Sequence, residues 1–128
     1  MRGYRIRKEN SLWYFELMPM RNGEQCIGKS KTYTSKSDCE KAVLIFRNFV
    51  IANKINSIDS SFINLVKSMN STFKFEQIRA EYIKDGEVIF KTNNYNGSSM
   101  KKNCKTIVET IYESINDFTN EEIKLRSV

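Results

Sequence analysis

Asn22-Gly23-Glu24-Gln25-Cys26-Ile27 returns later in the chain as Asp85-Gly86-Glu87-Val88-Ile89-Phe90, and the reading of that recurrence decides the fold. Asn-Gly and Asp-Gly tolerate the positive φ angles that tight two-residue connections demand, so each marks a hairpin turn between two strands. About ten residues after each glycine stands a tyrosine, Tyr33 or Tyr95, followed by small polar residues. A helical pattern comes next in both copies. Cys39, Ala42, Val43, Phe46 and Val50 stand at i, i+3, i+4, i+7 and i+11, and Cys104, Ile107, Val108, Ile111 and Ile115 occupy the same template. The chain therefore reads as two diverged copies of one strand-strand-strand-helix unit.

Working outward, the first copy has strands at Tyr4 to Lys8, Trp13 to Met20 and Glu24 to Thr32, with a turn at Glu9-Asn10-Ser11. Pro19, which cannot donate to a ladder, belongs at a strand end, a bulge or an edge. In the second copy Phe73 to Ile83 shows no clear turn signal, and its first strand is the least regular element. Between the copies, Phe62, Leu65, Val66 and Met69 fall at helical spacing behind Ser60, which predicts a short connecting helix. The expected fold is α+β: two tandem βββα repeats forming a mainly antiparallel sheet, helices on one side, related by a pseudo-twofold axis. The chain reads as a single domain, residues 1–128. Repeat one covers about 1–56, the connecting helix 57–70, repeat two 71–118 and a C-terminal tail 119–128. The tail suits either a short helix opened by Thr119 and Glu122 or a strand using Ile123 and Leu125.

Phe15-Glu16-Leu17, then Asn22-Gly23-Glu24, then Tyr33-Thr34-Ser35-Lys36-Ser37 with the helix after it, resembles the YegP-like family, a domain of unknown function. The match is stronger in the first copy than in the second. It implies three-strand-plus-helix units, in tandem or as dimers, that lend strands to one another's sheet. It carries over no catalytic residue. Pro19, an apparent extra residue in the second strand and the long connection between copies depart from the family pattern.

Composition narrows the function classes. With 128 residues, 40% of them hydrophobic, one modest core is expected, and no apolar run reaches the length of a membrane span. The charged N-terminus lacks the apolar block of a secretory signal, so the reading is cytoplasmic. There is no histidine, the three cysteines lack metal-ligand spacing, and no nucleotide loop or nucleophile elbow occurs. Cys26, Cys39 and Cys104 fall among apolar neighbours and read as buried free thiols. No cofactor or metal is expected, and a non-enzymatic binding module fits better than an enzyme.

The net charge of +6 is unevenly placed: residues 1–56 carry 11 Lys+Arg against 5 Asp+Glu, and residues 57–128 carry 10 of each. Such asymmetry predicts a basic face on the first repeat that attracts polyanions. The candidate nucleic-acid contacts are Arg5 and Arg7, on one face of the first strand, with Lys29 and Lys31 on one face of the third. Trp13-Tyr14-Phe15 invites comparison with base-stacking platforms, but alternation sends Trp13, Phe15 and Leu17 together, most simply into the core. The two helix starts differ. The first has Ser37 and Glu40 in capping-box spacing, whereas Ser98, Ser99, Lys101 and Lys102 at the second form a candidate anion site. Two partner classes stay open: nucleic-acid phosphates, or a protein held by an inhibitor or adaptor from a bacterium or a mobile element such as a phage. The oligomeric state is not legible.

Overall fold

The structure is a computed structural model and describes residues 3–18 and 25–116. The Asn22-Gly23 turn, Pro19 and the tail from 117 onward lie outside the described residues. Strands β1 (Gly3–Glu9) and β2 (Leu12–Met18) form a hairpin closed by Asn10 and Ser11, at φ +52° and +66°. Then follow β3 (Gly28–Ser30), α1 (Lys36–Ala52), β4 (Ile63–Met69), β5 (Glu76–Lys84), β6 (Glu87–Thr92), β7 (Tyr95–Asn96) and α2 (Met100–Asn116). Asp85 and Gly86 close the β5–β6 hairpin at φ +52° and +77°, with Lys84 paired to Glu87, as the Asp-Gly signal requires.

The sheet runs β1-β2-β3-β6-β5-β4, antiparallel throughout, with β7 beside β5. Two three-stranded meanders thus join through their third strands. At the seam Lys29 lies opposite Lys91, Gly28 opposite Thr92, and Ser30 opposite Phe90. Exchanging the repeats turns the second pair into the third and leaves the first unchanged. The pseudo-twofold axis therefore passes between Lys29 and Lys91.

Local details obey the same axis. Ser30 Oγ accepts from the Phe15 N–H (2.9 Å) and donates to the Lys31 carbonyl. Thr92 Oγ1 likewise accepts from the Ala80 N–H (2.9 Å) and donates to the Asn93 carbonyl. In each repeat a buried hydroxyl satisfies a backbone donor where the third strand leaves the ladder. The two repeated tyrosines then rejoin the sheet, Tyr33 bridging Trp13 and Tyr95 pairing with Ile78.

Both helices pack on one face of the sheet and share a single core. Their apolar stripes bury Cys39, Ala42, Val43, Phe46 and Val50 from α1, and Cys104, Val108, Ile111 and Ile115 from α2. Phe46 is central: its ring lies 4.8 Å from Phe90 and 5.2 Å, edge on, from Tyr82. Fully buried side chains of this size contribute about 1.5–3 kcal/mol each. α1 begins earlier than the Ser37 spacing predicts, because Ser35 Oγ accepts from the Asp38 N–H and is the N-cap. No helix among the described residues is long and apolar enough to cross a membrane.

The connecting helix expected over 57–70 is not there: Ile63–Met69 is strand β4, paired with β5 along its whole length. The second repeat therefore begins with β4, before residue 71. Ser60 Oγ accepts from the Phe62 N–H within a turn, and Phe62 packs edge on against Phe49. Ile63 and Leu65 alternate inward past exposed Asn64, and seven residues of pairing with β5 override the helical spacing of the apolar residues. The missing turn signal lies just upstream of Phe73: Asn70 Oδ1 accepts from the N–H groups of Thr72 and Phe73.

This packing sets the expected outcome of two substitutions. A Cβ on Gly28 would stand 2.5 Å from the Lys91 carbonyl oxygen and 2.7 Å from the Phe90 ring. Gly28→Ala is thus expected to cost about 1–3 kcal/mol in urea denaturation. Tyr82 Oη is buried without a hydrogen-bond partner among the described residues. Tyr82→Phe removes that orphan hydroxyl, so it should leave stability unchanged or raise it by about 1 kcal/mol; a clear loss would show that the hydroxyl has a partner.

Candidate functional site

Among the described residues no helix covers the second face of the sheet. The strand registers lay a row of side chains across it: Arg5, Glu16, Lys29, Lys91, Glu81 and Asn64. A second row holds Arg7 and Tyr14 on one side and Arg79 and Val66 on the other. These two rows bring together five cations and two carboxylates.

The carboxylates position the arginines. Glu16 Oε1 accepts from Arg5 Nε and Nη2, at 3.0 and 2.8 Å, and lies 3.8 Å from Arg7 Nε. Glu81, 7% exposed, accepts from Arg79 Nε at 2.7 Å. Each acid occupies the equivalent place on the middle strand of its repeat, so each half of the face carries one fixed arginine–glutamate pair.

The lysines at the axis are different. Lys29 and Lys91 are exposed and face each other, and neither makes an ion pair among the described residues. Lys29 instead places its ammonium 5.5 Å from the Tyr14 ring centre. Like charges directly opposite one another destabilise a strand pair. Beside them, Lys29, Arg79, Lys91, Thr92, Asn93 and Asn94 line an open depression of about 370 Å³. Asn93 is held there by its side-chain amide, which donates to the Cys26 carbonyl at 2.7 Å, and the three cationic groups around the depression are suited to an oxyanion such as phosphate.

Of the four residues expected to form a basic face, Arg5, Arg7 and Lys29 come together. Lys31 does not join them. It follows the short β3, pairs with Glu87 at 2.9 Å, and lines a separate cavity of about 350 Å³ with Tyr33, Asp38, Lys41, Phe46 and Ile89. Ser98, Ser99, Lys101 and Lys102 are exposed at the start of α2, where the Ser99 carbonyl accepts from the Asn103 N–H. They belong to the helix layer and do not meet the rows on the uncovered face.

Two of the five cations, Arg79 and Lys91, come from the second repeat and were missed in the sequence. A signal for Lys91 exists: counted back from the repeated tyrosines, Lys29 and Lys91 occupy the same position. Counted forward from the repeated glycines they differ by one residue, which hid the equivalence. Arg79 carries no such signal, since its counterpart in the first repeat is Tyr14.

Trp13 and Phe15 pack with the core side, as alternation requires, leaving Tyr14 on the uncovered face. Cys26, Cys39 and Cys104 are free thiols, half-buried in the first case and buried in the others. Burial pushes the Cys39 thiol up to about 11, and it raises Cys104 and, with help from the nearby Glu16 carboxylate, Cys26. Burial likewise lifts both repeated tyrosines, Tyr33 and Tyr95, to about 12. These groups stay protonated in the folded chain at a pH where the unfolded chain releases its protons. Their contribution is complete below about pH 9 and falls as pH rises from there toward 12, so the urea midpoint should decline progressively over that window. A midpoint that is flat from pH 9 to 11 would contradict the burial of these groups.

No family model matches this chain, and neither does any curated protein or solved structure.

Proposed function

We propose that the chain is a non-enzymatic binding module that holds nucleic-acid phosphates on the uncovered face of its sheet. The observation that carries this reading is the lysine pair at the seam. Lys29 and Lys91 stand at directly opposite register positions, neither in an ion pair among the described residues, in the middle of a face that already carries Arg5, Arg7 and Arg79. Five cations stand against two carboxylates in these rows, and a polyanion offsets the excess. Contacts of this kind direct the protein to the backbone of the nucleic acid and not to its bases. The reading extends the basic face of the first repeat across the axis into the second.

The tandem βββα order also supports placing the chain as a diverged relative of the YegP-like domains, whose pattern Phe15-Glu16-Leu17 and Tyr33-Thr34-Ser35 resembles. A second reading, a protein-binding inhibitor or adaptor from a bacterium or a mobile element, draws on the other cavity. There Ile45, 52% exposed, stands beside an apolar floor of Phe46 and Ile89, with Lys41 and Asp38 at the rim.

The test is fluorescence anisotropy with a labelled nucleic acid over a range of salt concentrations. Parent protein should bind with a steep salt dependence. Lys91→Glu, or the pair Arg5→Glu with Arg7→Glu, should weaken binding and flatten the slope by about 0.9 for each phosphate that is no longer neutralised. Parent protein that fails to bind at low salt would shift the choice to the protein-partner reading.

A further inference from the structure

Resting on the phosphate-binding reading above, we infer that the nucleic acid this face takes is a duplex, seated with its local twofold axis along the pseudo-twofold axis between Lys29 and Lys91. The first argument is symmetry. The seam register exchanges Lys29 with Lys91 and Glu16 with Glu81, and each of these glutamates holds an arginine, Arg5 from the outer strand in the first repeat and Arg79 from the middle strand in the second, so each half offers a guanidinium at an equivalent carboxylate although the arginines themselves do not exchange. The two antiparallel strands of a duplex are related by a local twofold at every base pair, and two-fold protein surfaces pair with such axes. A single strand has a direction and no such axis, so it cannot present equivalent phosphates to both halves.

The second argument is span. Glu16 on β2 and Glu81 on β5, which hold the arginine head groups, are separated by three strand spacings in the order β2-β3-β6-β5. At about 4.8 Å per spacing, that is roughly 14 Å. The two arginine–glutamate pairs can therefore straddle a groove about 12 Å wide and meet phosphates of both strands, while the lysines lie between them.

The third argument is stacking. Proteins that hold single strands gain much of their affinity from aromatic side chains on which bases stack. In the two rows across this face Tyr14 is the one aromatic residue, and the Lys29 ammonium sits over its ring. Trp13 and Phe15 are turned to the core side. What this face offers is charge at fixed positions, which suits a ligand whose bases are already paired and whose phosphates are held in place by the duplex.

The experiment compares one labelled duplex with each of its separated strands, at matched length and salt, using the full chain. The duplex should bind at least about tenfold more tightly than either strand. Lys29→Gln and Lys91→Gln should each weaken duplex binding, and circular dichroism should show both variants folded. Equal affinity for strand and duplex overturns the duplex assignment while leaving phosphate binding in place. Absence of binding to duplex and strands alike overturns the phosphate-binding reading as well.

Discussion

The backbone pairing of β3 with β6, three residues on each side, is the constraint on which the rest of the molecule depends. A three-stranded meander with one helix leaves its third strand as an open edge, and such edges invite unwanted pairing. Here each repeat closes the other's edge. The close approach works because Gly28 has no side chain where the Phe90 ring lies across it. Phe90 then reaches Phe46 and Tyr82, so the seam that joins the sheets also centres the shared core.

The same seam makes the functional face. Residues that alternate away from Gly28, Ser30, Phe90 and Thr92 must point to the uncovered side, and at the axis those residues are Lys29 and Lys91. Neither repeat alone contains this pair. The repeats have diverged around it: Glu16 and Glu81 keep equivalent places, while Arg5 stands where the second repeat has Asn64, and Tyr14 where it has Arg79. Each half retains an arginine tied to its glutamate, reached from the outer strand in one repeat and from the middle strand in the other. The excess charge of residues 1–56 is thus an incomplete guide, because the second half, though balanced, sets Arg79 and Lys91 against Glu81 on the face.

By itself the sequence determined what local chemistry and periodicity determine. The Asp-Gly turn, the two helical stripes from Cys39 and from Cys104, the inward alternation of Phe15 and Leu17, and the repeat marked by Tyr33 and Tyr95 all express constraints within a few residues of one another. Ser57 to Met69 lies at the limit of that reach. Its apolar spacing, at Phe62, Leu65, Val66 and Met69, matched a helix, and pairing with β5 made it a strand. Register across the seam is a contact between residues far apart in the chain, so the sequence carried no statement that Lys29 meets Lys91, that Arg79 joins them, or that Lys31 turns away to Glu87. Those were decided by tertiary structure alone, because which charges share a face depends on strand order, and strand order is set by how two separate units bury one core.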